Sequence, residues 1–194
     1  MTRDDMAARE GHLRHLAIAE RGKLSALSGD HDRALELYRL ALHQAREMGA
    51  PPPFARHYTD CILESLERQG RHADALALVE AACAELQARE AASALQRHDH
   101  AVLTLRRAIL LLFLGRGDEA GRHLAEAIAL ARPARLALAE ELVAWRSRAL
   151  TLTEQTLTDA LSRHGYYTVR RGRVRADLAR TAVVPPARSR QEVR

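Results

Sequence analysis

Aromatic residues are scarce in this 194-residue chain: two Phe, four Tyr and one Trp, or 4% in all. Strands of β-sandwiches draw on aromatic and β-branched side chains, so the scarcity argues against an all-β fold. Cysteine is scarcer still. Cys61 and Cys83 are too few for a disulfide framework and read as buried thiols of a reducing compartment. The longest apolar run, "AILLLFLG" at 108–115, falls far short of the ~20 residues a membrane span needs. The opening stretch "MTRDDMAARE" lacks the apolar core of a signal peptide. A cytoplasmic protein without membrane contact is the expectation. There is also no Gly-rich phosphate loop and no arguable nucleophile–base pair, so no catalytic residue is assigned, no cofactor is expected, and the chain reads as non-enzymatic.

What the sequence does contain is alanine and leucine, written in a pattern. "GDHDRALELYRLAL" begins at Gly29 and "GRHADALALVEAAC" at Gly70, each placing Ala five and twelve residues after its Gly. A third, degraded copy, "GRGDEAGRHLAEAIALA", begins at Gly115. In the first copy Ala34, Tyr38, Ala41 and Ala45 fall on one helical stripe. Ala75, Val79, Ala82 and Leu86 are the corresponding stripe of the second, and Ala120, Leu124, Ala127 and Ala131 that of the third. A helical stretch also precedes each Gly, so the repeated unit is a helix–turn–helix hairpin with the Gly in its turn.

These residues resemble the tetratricopeptide repeat over about residues 12–132. Gly22, Gly29, Ala34, Tyr38 and Ala41 match its small and aromatic positions, as do Gly70, Ala75 and Ala82, then Gly115, Ala120 and Ala127. The spacing of 41 and then 45 residues between the turn glycines exceeds the family's usual ~34. The resemblance implies an all-α fold: a right-handed superhelical stack of antiparallel hairpins over about 7–48, 53–90 and 97–131. Pro133 suits the first turn of a helix, and 133–164 reads as one long helix capping the stack. The expected repeat domain thus spans 1–164. Residues 165–194 read as a basic, flexible tail, with a short hairpin around Arg171–Gly172.

The resemblance further implies a concave groove lined by the first helix of each hairpin. Its expected lining is Lys23 in the first unit, His57, Asp60, Glu64 and Glu67 in the second, and Leu105 and Ile109 in the third. The chaperone-tail variety of the family clamps a carboxylate with Lys and Asn, and this sequence has no Asn. An acidic middle beside an apolar end suits instead a protein segment carrying Arg or Lys next to a hydrophobic anchor. His57, Asp60, Cys61 and Glu64 share metal-ligand types at one helix face, but no second constellation joins them, and no metal is assigned. The helix "VLTLRRAILLLFL" is apolar on nearly every face, which fits a sandwiched helix or, together with the Trp145 helix, self-association as a homodimer.

Charge is unevenly placed. From Arg163 onward nine arginines face only Asp177 and Glu192, so the formal excess of +5 lies in the tail and the body before it is mildly acidic. An interaction adaptor is the expected function. The alternative is a regulatory module whose tail, through Arg170, Arg171, Arg173 and Arg175, contacts nucleic acid. An acidic groove and a basic tail in one chain also suggest that residues 165–194 visit the Asp60–Glu67 surface through arginine–carboxylate pairs.

Overall fold

The computed structural model describes residues 3–88, 93–148 and 152–184. Among the described residues the chain is all-helical, without a strand. Its helices are α1 (Arg3–Leu27), α2 (His31–Glu47), α3 (Pro52–Arg68), α4 (His72–Ala88), α5 (Ala94–Phe113), α6 (Gly117–Ala131), α7 (Ala137–Ser147), α8 (Glu154–Arg163) and α9 (Ala176–Arg180). A single 3-10 turn, Arg171–Arg173, precedes α9.

One local device ends helix after helix. Gly29 and Gly115 adopt φ of +85° and +72°, which glycine reaches without the penalty of a Cβ. In both turns the residue after the glycine donates its N–H back to a carbonyl in the last helical turn, from Asp30 to Ser25 at 3.0 Å and from Arg116 to Leu111 at 2.8 Å. The glycine N–H itself bonds to Ala26 and to Leu112, so the orphan carbonyls at the helix end are satisfied and the chain reverses at once. Asp30 then caps α2 by accepting from the Arg33 N–H at 3.1 Å.

The chain forms two compact units, one from residues 1–69 together with the C-terminal segment from Thr168, the other from Gly70 to Tyr167. The division differs from the expected one of a 1–164 domain with a separate tail, and it falls in the turn of the second hairpin. The C-terminal segment belongs to the first unit because α9 packs on α1, with Ala179 buried, and Ala182 and Val184 pack against the core. Residues 185–194 of the expected tail lie outside the described residues.

In the first unit α1 packs on α2 and α2 on α3. Ala34, Tyr38, Ala41 and Ala45 form the predicted stripe, none more than 1% exposed. Small residues on this stripe let neighbouring helices approach closely. Gly22 shows how closely: a Cβ there would sit 2.7 Å from Cε1 of Tyr38.

In the second unit α4 packs on α5, α5 on α6 and α6 on α7. α5 is apolar on nearly every face because it lies between α4 and α6. The stripe of α6 is as predicted, with Ala120, Leu124, Ala127 and Ala131 buried. In α4 the buried residues are Ala75, Leu76, Val79 and Cys83, while Ala82 and Leu86 are only half-buried. The predicted stripe there was rotated by about one residue, since alanines and leucines surround the whole helix.

The single capping helix expected over 133–164 is two helices. Thr153 starts α8 afresh with a capping box: its Oγ accepts from the Thr156 N–H at 3.1 Å while its own N–H donates to the Thr156 hydroxyl at 3.0 Å. Pro133 lies in the turn before α7 rather than in a first helical turn. Leu157, Ala160 and Leu161 of α8 and Leu138, Ala139 and Leu142 of α7 close the same core. The hairpin expected around Arg171–Gly172 is the 3-10 turn.

Candidate functional site

Glu20 and Lys23 lie one helical turn apart on α1, and His57, Asp60, Glu64 and Glu67 recur at helical spacing on α3. Four of these charged residues are almost fully enclosed: Glu20, Lys23, Glu64 and Glu67 are 7%, 9%, 4% and 6% exposed. Burying a carboxylate is costly unless hydrogen bonds replace its water. For Glu20 and Glu64 the structure shows where those bonds come from.

One oxygen of Glu64, Oε2, accepts the backbone N–H groups of Thr168 and Val169, at 2.8 and 2.9 Å. Glu20 divides its two oxygens. Oε1 accepts from the Lys23 ammonium at 2.7 Å, and Oε2 accepts the backbone N–H of Arg175 at 2.8 Å. Two acids on two helices thus hold three backbone amides of one C-terminal segment. Val169 is buried between these anchors, and Arg170 continues in extended backbone.

The expected contact between tail and acidic face is therefore present, and backbone amides are among its donors. The guanidinium of Arg175 pairs with Asp177 at 3.0 Å, in solvent, and Arg170, Arg171 and Arg173 are exposed. Backbone amides suit an enclosed acceptor. A backbone amide is neutral and loses far less than a guanidinium on entering a dry site.

Leu105 and Ile109, expected at the apolar end of the groove, are core residues of the second unit, packed with Leu124, Leu138 and Leu142. Helix α5 offers so many apolar faces that spacing could not tell groove from core. Glu20 was missed. Its signal was the i, i+3 spacing to Lys23, the only lysine in the chain.

The first unit also holds a cluster of rings on α1 and α3. The Tyr58 hydroxyl is 2.7 Å from Nδ1 of His15, and the His15 ring meets Phe54 edge-on, with centroids 5.3 Å apart. Burial raises the hydroxyl pKa of Tyr38 and of Tyr58 well above that of a free tyrosine, so neither ionises in the ordinary pH range. His57 sits over the Tyr58 ring, with Nε2 3.9 Å from Sγ of Cys61. Burial, reinforced by the Lys23 ammonium and partly opposed by Glu20, lowers its pKa to about 4. His57 is thus held neutral.

The folded pKa of His57 lies below the unfolded 6.5, so folding favours the neutral ring. That stability is fully present above pH 6.5 and is lost as pH falls from 6.5 toward about 4. The loss amounts to at most about 3 kcal/mol. Thermal melts across this range should show His57→Gln with a flatter pH dependence than the parent; parallel curves would contradict the assignment.

Among the described residues no three His, Cys, Asp or Glu side chains converge as metal ligands, and Glu64 of the His57–Asp60–Cys61–Glu64 set is occupied by backbone amides. Nor, among the described residues, is any helix long and apolar enough to cross a membrane. No family model, no curated protein and no solved structure matches this chain.

Proposed function

We propose that this chain is a non-enzymatic adaptor of the cytoplasm, built as a tetratricopeptide-like stack, which binds an extended protein segment on the carboxylate-bearing face of α1 and α3. The observation that carries this reading is the capture of three backbone amides by Glu64 and Glu20. The face already holds polypeptide by its main chain: its own residues 168–175, extended at Arg170 and Val174 and turned at Arg171–Arg173, are the resident occupant.

Recognition on this face runs through the main chain. Backbone contacts supply affinity without reading side chains, and pockets add selectivity. The enclosed position of Val169 calls for a small β-branched residue in the partner. The position after Val169 is an exposed arginine, Arg170, in keeping with a partner that combines basic and apolar residues. The cis segment competes at an effective concentration in the millimolar range, so a partner must displace it or bind a chain in which it has come away.

The test is a labelled peptide of residues 165–184, added to the full chain and to a version ending at Gly165. The shortened chain should bind the peptide at least tenfold more tightly than the full chain. A shortened chain that keeps its helicity and binds no peptide would contradict the proposal.

A further inference from the structure

The C-terminal segment has a part that the acidic face holds but does not cover. The chain is fixed at Val169 by Glu64 and again at Arg175 by Glu20. The 3-10 turn lies between these anchors, closed by the Arg173 N–H bonding to the Arg170 carbonyl at 2.9 Å. Arg170, Arg171, Gly172 and Arg173 are all exposed on this turn. Arg171 and Arg173 have no ion-pair partner among the described residues. The one acid in 168–184, Asp177, is taken by Arg175.

A run of arginines on loose chain is commonly a solvated tail. Here two buried carboxylates hold its backbone on both sides, so the guanidiniums are presented from a fixed base. Pre-ordering of this kind removes part of the entropic cost of binding. The turn exposes no large apolar side chain and no aromatic ring, since Val174 is half-buried and Tyr166 and Tyr167 pack against the core of the second unit. Protein interfaces rely on apolar or aromatic anchors, which this turn lacks. Single-stranded nucleic acids are held by stacking on aromatic rings, also absent here. No atom lies within 4 Å of where a Cβ on Gly172 would stand, so a ligand can approach the backbone itself.

We infer that Arg171 and Arg173, on the pinned turn, form a contact surface for the phosphate backbone of duplex nucleic acid, bound without regard to sequence. Guanidinium forks match phosphate oxygens through paired hydrogen bonds. An open, outward turn cannot enclose one small anion, but it can lie along a polyanion whose condensed counterions are released on contact. This surface exists while residues 168–175 occupy the face of α1 and α3, so a peptide that displaced them would release it; duplex binding and peptide binding are measured separately and either can fail alone.

The test uses the full chain and a labelled duplex of mixed sequence, with anisotropy followed from about 50 to 200 mM salt. Binding should weaken steeply with salt. The double variant Arg171→Gln/Arg173→Gln should bind at least tenfold more weakly at the lowest salt. Its slope of log affinity against log salt should be shallower by about 2, one unit for each lost phosphate contact. Both side chains are exposed, so its thermal melt should match the parent. Three results would overturn the inference: no duplex binding at the lowest salt, an unchanged slope in the double variant, or displacement of the duplex by an equal charge concentration of polyglutamate. The last would make the turn a surface for acidic proteins.

Discussion

Tyr38→Ala should destabilise the first unit by about 3–5 kcal/mol, the range for emptying the site of a large, fully enclosed ring. Tyr38 is 0% exposed and lies at the centre of the repeated alanine stripe, so no solvent-side collapse can fill the space. The same ring makes Gly22 obligatory. A Cβ at Gly22 would stand 2.7 and 2.8 Å from two of its carbons, well inside contact distance, and a buried ring between packed helices cannot swing away. Gly22→Ala alone should therefore cost about 1–3 kcal/mol as an overpacked contact. In the Tyr38→Ala background the sign should reverse. With the ring gone, the alanine meets open space and gains up to about 1 kcal/mol of helix propensity over glycine. A double-mutant cycle followed by denaturant titration measures this coupling. Equal costs for Gly22→Ala in both backgrounds would mean that the ring is not the obstacle.

Glu64→Ala should cost about 2–4 kcal/mol and release the C-terminal segment, because it strips two enclosed N–H groups of their shared acceptor. Each orphaned donor loses about 1–3 kcal/mol, and the removal of a buried charge returns part of that. Glu64→Gln separates charge from acceptor. Its side-chain carbonyl can still receive both amides, so it should lose only about 1 kcal/mol, the difference between a charge-assisted and a neutral bond. Chemical denaturation should rank the three chains in the order Glu, Gln, Ala. If the Gln and Ala variants are equally weakened, the negative charge, rather than the acceptor geometry, is what holds the segment.

Where the sequence speaks through local rules, its reading of the fold survives. Turn glycines at 29 and 115 carry their own instruction, because positive φ excludes most other residues. The alternation of small and large residues in Ala34–Tyr38–Ala41 identifies a packed stripe before any partner helix is known. The break between α7 and α8 is also local, but Thr153 and Thr156 are a weaker signal than a Ser–Glu box within a stretch of helical spacing.

The candidate site was harder, for two physical reasons. The acids Asp60, Glu64 and Glu67 are visible as a face of α3, but the occupant of Glu64 joins positions 104 residues apart in sequence through backbone amides. Every residue type except proline offers such an amide, so nothing in the composition of 168–175 announces it. Its many arginines speak instead for solvation, and indeed they face the solvent. Leu105 and Ile109 failed for the opposite reason: the apolar surface of α5 is too broad for its period to select one face.

The central claim is that buried carboxylates of α1 and α3 hold an extended segment by its main chain. Amide hydrogen exchange at Thr168, Val169 and Arg175 tests it most directly. All three amides should exchange slowly in the parent chain, and Glu64→Ala should abolish the protection of Thr168 and Val169. Exchange of these amides in the parent at the rate of an unstructured peptide would contradict the account.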